Sequence, residues 1–162
     1  MCLPLSSEAP SVAEAYTTIP YEFHFRSAGN QFGWNWRLLA ALAKQESSLN
    51  PNARSRVGAR GLLQIMPATG REIASDLGLT SWNLTNPAQS IQMGAFYLAK
   101  MRTHTRPYAK NYRDNIRLSL CAYNAGPTAV TRYRDCPPYK ETQNYHRKIF
   151  AYWEQHKKEY LP

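Results

Sequence analysis

Glu46 is the residue whose position most strongly suggests chemistry. It lies four residues after Leu42 and eight after Leu38, so on a helix the three side chains share one face. That face is otherwise apolar and should be buried, and burial raises the pKa of a carboxyl group. A carboxylic acid that is still protonated near neutral pH can act as a general acid toward a leaving-group oxygen. The alternative is a structural glutamate held by an arginine or by backbone donors.

A polar, glycine-bearing loop follows the acid. It contains Ser55, Gly58 and Gly61, and Gln64 comes shortly afterwards. Hydroxyl and amide groups match the hydrogen-bonding groups of sugars, and glycines let a bulky ligand approach the backbone. The loop therefore favours recognition of a carbohydrate, although these residue types alone would also suit an ordinary surface loop.

The elements that must position these residues are helical. Residues 1–19 are rich in Ser, Ala, Pro and Thr and are interpreted as a flexible lead-in, and residues 20–162 as the functional domain. Apolar residues at three- and four-residue spacing predict helices over 34–49, 67–77, 112–125 and 142–158, and a further helix opening at Asn86-Pro87. No alternating strand pattern is evident. We therefore predict an all-α single domain of six or seven helices around a substrate cleft.

An ordered set of motifs runs through about three-quarters of the chain, from Trp34 to Tyr152. These motifs resemble the catalytic domain of family 1 soluble lytic transglycosylases, which has a lysozyme-like fold, and they are closest to the membrane-bound F-type branch. The resemblance to the F-type branch is carried by the run from Trp36 to Ala41. The residues that carry the family resemblance are Glu46-Ser47, Asn50-Pro51, Ala53, Ser55, Gly58-Ala59, the run from Gly61 to Thr69, Asn86-Pro87 with Ile91, Gly94-Ala95 and Tyr97-Leu98, the run from Ala122 to Pro127, and Glu141 to Tyr145.

The resemblance implies an enzyme that cleaves the bond between N-acetylmuramic acid and N-acetylglucosamine in peptidoglycan without water, giving 1,6-anhydro ends. Glu46 would be its single acid/base, with assistance from the substrate's acetamido group and with no metal or organic cofactor. The implied substrate-binding residues are Ser55, Gln64, Tyr123, Asn124, Glu141 and Tyr145. Ser90 replaces the asparagine common in the family, and we expect this change to affect helix capping rather than chemistry.

Three rival functions remain open from the sequence. Goose-type lysozymes share the fold and the acid but deliver water, so a hydrolase is one alternative. A non-catalytic module that binds peptidoglycan is the second. Nucleic-acid binding is the third, and it is disfavoured because no recognised motif is present. The four histidines show no metal-ligand spacing, and no HExxH pattern occurs.

The charge of the chain is strongly positive. Twenty Lys and Arg residues against eleven Asp and Glu give a net charge of +9, so the surface should attract an acidic partner. Once the resemblance is considered, peptidoglycan strands fit this requirement, with cell-wall or secretion-apparatus proteins as further candidate partners. We expect a monomer in the periplasm or cell envelope, or a phage-encoded wall-penetrating enzyme.

The three cysteines leave two questions open. Cys121 and Cys136 could form a disulfide in an oxidising compartment or remain as two buried thiols. Cys2, directly after the initiator Met, resembles the start of a mature bacterial lipoprotein. No apolar run approaches the ~18 residues of a membrane span, so we expect membrane attachment only if Cys2 is lipidated.

Overall fold

The chain folds into helices throughout the part that the structure describes. A computed structural model describes residues 19–159, and in this range it contains seven α-helices, one short 3₁₀ helix and no strand beyond isolated bridges. This architecture confirms the all-α prediction. The helices are α1 (Glu22–Phe32), α2 (Trp36–Ser47), α3 (Pro67–Asp76), α4 (Pro87–Thr105), α5 (Tyr112–Ala125), α6 (Pro127–Tyr133) and α7 (Lys140–Glu159), and the 3₁₀ helix is Arg106–Tyr108.

The helix starts follow from local sequence. Asparagine side chains accept hydrogen bonds from the free backbone N–H groups of three helices, and proline, which lacks that N–H, occupies the first turn of three. The capping asparagines are Asn35 of α2, Asn86 of α4 and Asn111 of α5, and the prolines are Pro67 of α3, Pro87 of α4 and Pro127 of α6.

Some predicted boundaries were wrong for local reasons. The helix predicted over 34–49 begins at Trp36, after the extended cap residue Asn35, and ends at Ser47. It ends there because Ser48 and Leu49 adopt the left-handed conformation with φ of 54° and 63°. Pro127 ends α5, as expected, but it also begins α6, a helix that the pattern did not indicate. The last helix begins at Lys140 rather than at residue 142.

The core is centred on α2. Leu38, Leu39 and Leu42 are fully buried, and α2 packs between α1 and α7. One stripe of α7 faces this core, and its residues are all buried or partly buried: Tyr145, Ile149, Tyr152, Trp153 and His156. The last turn of α2, which carries Glu46, is therefore held against the first half of α7.

A second, smaller cluster lies where α4, α5 and α6 meet. It includes a disulfide between Cys121 of α5 and Cys136 of the loop before α7, which resolves the open question about these two cysteines. No described helix is long and apolar enough to cross a membrane. Residues 1–18, which include Cys2, lie outside the described residues, and Ile19 is buried in the core.

Candidate active site

Glu46 lies in the last turn of α2, where the helix meets the following loop. Its neighbour Ser47 fixes this junction: the Ser47 hydroxyl lies 3.0 Å from the Ala43 carbonyl oxygen of its own helix and 2.9 Å from the Leu62 carbonyl oxygen of the loop. A single side chain therefore ties the acid-bearing turn to the segment that carries the other predicted polar groups.

The Glu46 side chain is partly buried, and its carboxyl group accepts a hydrogen bond from the Tyr145 hydroxyl of α7. Burial raises the pKa of Glu46 to about 7, and the hydrogen bond from Tyr145 opposes this rise only in part. Within the described residues, no lysine or arginine forms an ion pair with Glu46. The geometry thus argues against a structural glutamate held by an arginine, and a carboxyl group with its pKa raised in this way is partly protonated near neutral pH.

Tyr123 of α5 lies on another side of the acid. Its hydroxyl donates to the Leu63 carbonyl at 2.7 Å, and burial raises its pKa well above 10, with the nearby negative charge of Glu46 as a further cause. The ring of Tyr97 from α4 packs edge-on against it, with centroids 5.3 Å apart. Tyr123 is therefore a fixed neutral wall beside Glu46.

Gln64 is held in an unusual backbone conformation. Its φ is +46°, in the left-handed region that non-glycine residues seldom occupy and that clusters at functional sites. Its side-chain nitrogen donates to the carbonyls of Ala53 and Gly61, at 3.1 and 2.9 Å. Because both donor hydrogens are used within the loop, the amide oxygen of Gln64 is the atom left for a ligand.

The loop around Leu63 is supported by α4. The Ser90 hydroxyl, fully buried, accepts a hydrogen bond from the Leu63 N–H at 3.3 Å, and a Cβ on Gly94 would lie 2.1 Å from the Leu63 side chain. The expectation that Ser90 affects helix capping was therefore wrong: Asn86 caps α4, and Ser90 faces inward to hold the loop. The missing Cβ of Gly94 lets that loop approach.

A pocket of about 320 Å³ opens beside these groups. Asn124 lines it, and the Asn124 side-chain oxygen accepts from the Thr142 hydroxyl at 2.8 Å, which leaves the amide NH₂ as the available group. The pocket consequently offers an acceptor from Gln64 and a donor from Asn124. Its lining residues are Gln64, Ile65, Met66, Thr69, Tyr97, Tyr123, Asn124, Ala125 and Gly126.

The predicted site residues fall into three groups. Gln64, Tyr123 and Asn124 line the pocket together, and Tyr145 contacts Glu46 directly. Ser55 lies apart from the pocket lining, in a turn where its hydroxyl accepts from the Ala59 N–H at 3.0 Å. Glu141 is exposed in the first turn of α7 and does not line the pocket.

Three further residues shape the site and were not predicted as site residues. Tyr97 lines the pocket and packs on Tyr123, Thr142 orients Asn124, and Ser90 supports Leu63. Each of them lies in or beside a motif that carries the resemblance, and this position was the available signal. Their roles depend on contacts between distant segments, which spacing along one helix does not indicate.

Among the described residues, one group has ligand atoms close enough together to suit a metal. Cys121, Cys136 and His146 place one such atom each within 4.8 Å of one another. The two sulfurs are bonded to each other in the disulfide, so neither is the thiolate that metal coordination requires. The cluster is therefore a disulfide with a buried histidine beside it.

The sequence of this chain is similar to a protein-family model and to known proteins. The family model "Transglycosylase SLT domain" matches residues 23–146. Membrane-bound lytic murein transglycosylase F of Alcanivorax borkumensis is 41% identical over 107 residues, which are 65% of this chain and 21% of that protein. The protein of the same name from Stutzerimonas stutzeri is 39% identical over 106 residues, 65% of this chain and 20% of that protein. The chain thus spans about a fifth of the length of these relatives.

Solved structures match over most of the fold. The 70 kDa soluble lytic transglycosylase of Escherichia coli superposes with a TM-score of 0.75 and 27% identity, covering 87% of this chain and 24% of that one. An inactive mutant of a lytic transglycosylase from Pseudomonas aeruginosa gives a TM-score of 0.74 at 24% identity, covering 89% and 25%. The predicted lysozyme-like arrangement is confirmed by these likenesses.

Proposed function

The chain belongs to the transglycosylase SLT domain family, and from this membership and the site geometry we propose that it cleaves the glycan strands of peptidoglycan as a lytic transglycosylase. The observation that carries the proposal is the Glu46 carboxyl group, whose pKa is raised by burial to about 7 and which accepts a hydrogen bond from Tyr145. Glu46 does not itself line the pocket, but its charge acts on Tyr123, which does. The names of the relatives, which refer to murein transglycosylases, support the substrate class.

The first step uses Glu46 as an acid. The protonated carboxyl group donates its proton to the oxygen that links N-acetylmuramic acid to N-acetylglucosamine, and the bond from that oxygen to the muramoyl C1 breaks. Most glycosidases place a second carboxylate opposite the first. Burial raises the pKa of Glu46 and Tyr145 lowers it, and no second carboxylate among the described residues perturbs it, which favours assistance from the substrate's acetamido group.

The second step uses the same group as a base. The Glu46 carboxylate takes the proton from the muramoyl C6 hydroxyl while that oxygen bonds to C1 and closes the 1,6-anhydro ring. The carboxyl group returns to its starting state, and neither water nor a cofactor is consumed. The partial burial of Glu46 suits this route, because water that reached the site would compete with the internal hydroxyl.

The pocket suits an N-acetylated sugar. An acetamido group carries one N–H donor and one carbonyl acceptor, which complement the free oxygen of Gln64 and the free NH₂ of Asn124. Tyr123 would form the wall beside the sugar ring, and Tyr145 would orient Glu46. Ser55 near an N-acetyl group and Glu141 toward the muramoyl peptide complete the proposed set, at the edges of the cleft.

We place the protein in the cell envelope as a monomer acting on glycan strands, with cell-wall or secretion-apparatus proteins as candidate partners. The relatives named as membrane-bound support an envelope location, and the excess of positive charge suits a wall that carries carboxylates on its peptide stems.

The experiment that tests the proposal is mass spectrometry of peptidoglycan digested by the purified chain. We expect 1,6-anhydro ends, whereas reducing ends heavier by about 18 Da, one added water, would identify a hydrolase and contradict the lyase. The Glu46→Gln variant, which keeps the size of the side chain but has no proton to donate, should lose turnover by orders of magnitude. Unchanged turnover would show that Glu46 is not the acid.

A further inference from the structure

A small hairpin beside the pocket places two arginines directly opposite each other. The Ser55 N–H donates to the Ala59 carbonyl and the Gly61 N–H to the Ala53 carbonyl, both at 3.0 Å. These two bonds enclose the antiparallel bridge between Arg54 and Arg60. A residue pair flanked in this way is the non-hydrogen-bonded type, in which the two side chains approach most closely.

The pair is unfavourable without a ligand. Opposite residues of an antiparallel pair project from the same face with Cβ atoms about 5 Å apart, and like charges placed there are destabilising. Both side chains are exposed, and the structure shows no hydrogen bond or ion pair to either guanidinium from any residue in the range 19–157. Arg56, also exposed, adds a third positive charge in the turn of the same hairpin.

The hairpin is anchored to a residue that lines the pocket. The side-chain nitrogen of Gln64 donates to the carbonyls of Ala53 and Gly61, which are the chain neighbours of Arg54 and Arg60. The Arg60 backbone is further paired with Ile65, another lining residue, through hydrogen bonds of 3.0 and 3.1 Å. A ligand held by Gln64 therefore lies within a few residues of the arginine pair.

We propose that Arg54 and Arg60 bind a carboxylate of the peptide stem carried by the glycan strand in the pocket. A guanidinium presents paired N–H donors that match the two oxygens of a carboxylate, and one carboxylate between two guanidinium groups would offset their repulsion. The sugars of the strand offer neutral groups, whereas its stems carry the carboxylates. The inference rests on the proposed function and makes the hairpin a specificity element for strands that bear peptides.

Binding rather than turnover tests this inference. The Glu46→Gln chain, which should bind without cleaving, is mixed with two soluble glycan preparations. One carries peptide stems. The other is stripped of stems by an amidase, and the lactyl carboxyl groups that this cleavage exposes are then converted to neutral methylamides, so that it carries no carboxylate. Affinity is measured for this parent and for the same chain with Arg54→Gln and Arg60→Gln. We expect the arginine substitutions to weaken binding of stem-bearing strands roughly five- to tenfold, the size typical of two exposed ion pairs, and the loss to shrink in high salt.

The control is Arg106→Gln with Lys110→Gln, which removes the same charge from the 3₁₀ helix and the residues just after it, none of which lines the pocket. The inference predicts that the two double variants bind stripped strands equally well. Three results would overturn it: equal losses on stem-bearing strands for both variants, an equal loss on stripped and stem-bearing strands for the arginine variant, or no preference of the parent for stems. None of these three results bears on the proposed reaction. That reaction is tested separately by the digestion products of the chain that retains Glu46.

Discussion

The Tyr145 hydroxyl donates a hydrogen bond to Glu46 across 99 residues of sequence. The donor lies in the first half of α7 and the acceptor in the last turn of α2, so the protonation of the acid depends on how these two helices pack. The Tyr145 hydroxyl stabilises the ionised form of the carboxyl group, and under the proposed function Tyr145 would be a positioning residue for Glu46.

Replacing Tyr145 with phenylalanine should raise the pKa of Glu46, because the hydrogen bond from Tyr145 lowers it. Activity that requires protonated Glu46 falls above that pKa, so the alkaline limb of the pH profile, expected near pH 7 in the parent, should move to higher pH in Tyr145→Phe. The measurement is kcat/KM against pH on soluble glycan strands. Tyr152→Phe, which removes a hydroxyl from the same helix, should leave the limb in place.

The stability of the fold should depend on pH through Glu46. Because its pKa in the native state is about 7 and its ordinary value is 4.5, the native state binds the proton more tightly than the unfolded chain. Stability from this group is therefore complete at pH 4, is lost as pH rises toward 7, and stays lost above it.

Glu46→Gln removes this dependence. The Tm of the variant relative to that of the parent should therefore be higher at pH 9 than at pH 5. A gain of about 5 °C is the expected scale for this size of domain. Thermal unfolding followed by circular dichroism at both pH values measures it. Glu72→Gln on α3 neutralises an exposed acid and is the matched control. A parallel pH dependence in the parent and Glu46→Gln would contradict the raised pKa.

Removing the Tyr123 hydroxyl should destabilise the fold. Tyr123→Phe deprives the buried Leu63 carbonyl of its partner, and an unsatisfied buried acceptor costs about 1–3 kcal/mol. Urea unfolding should show this loss with an unchanged m-value. Tyr97→Phe keeps the neighbouring ring and leaves the Leu63 contact intact, so it should change the free energy of unfolding much less. Equal losses in the two variants would show that the hydrogen bond is not the cause.

Loss of the disulfide should lower stability as well. The bond between Cys121 and Cys136 closes a loop with a sequence separation of 15, and a loop of that length contributes about 3 kcal/mol in the chain-entropy account. Cys121→Ser with Cys136→Ser should therefore reduce Tm by roughly 6–12 °C. A reductant should produce a similar loss in the parent and none in the double variant. A parent that is insensitive to reductant would show that the thiols are free.

The sequence indicated those parts of the fold that depend on one helix at a time. Apolar spacing predicted the buried faces of α2 and α7, and it identified Glu46 as a carboxyl group on an apolar face. The raised pKa of Glu46 agrees with that argument because burial, its main cause, could be inferred from the pattern. Helix α6 was missed because a Gly-Pro pair such as Gly126-Pro127 is equally typical of the end of one helix and of the start of another.

The contacts between segments could not be predicted in the same way. The partnership of Glu46 with Tyr145, the support of Leu63 by Ser90 and the bridge of Arg54 to Arg60 each depend on the backbone path between the two residues. The cysteine pairing had the same difficulty, since the spacing of Cys121 and Cys136 suits either a bond or two buried thiols. The roles of all the predicted site residues remain predictions, and the structure places Ser55 and Glu141 outside the pocket lining.

The disulfide also determines what a single proteolytic cut can do to the site. Tyr123, Asn124 and the corner at Gly126 lie between Cys121 and Cys136, inside a covalently closed ring. One cleavage anywhere within that ring would leave the two fragments joined, and electrophoresis would show an intact molecule until a reductant was added. The nicked protein would still carry Glu46 and both halves of the pocket on one covalent assembly.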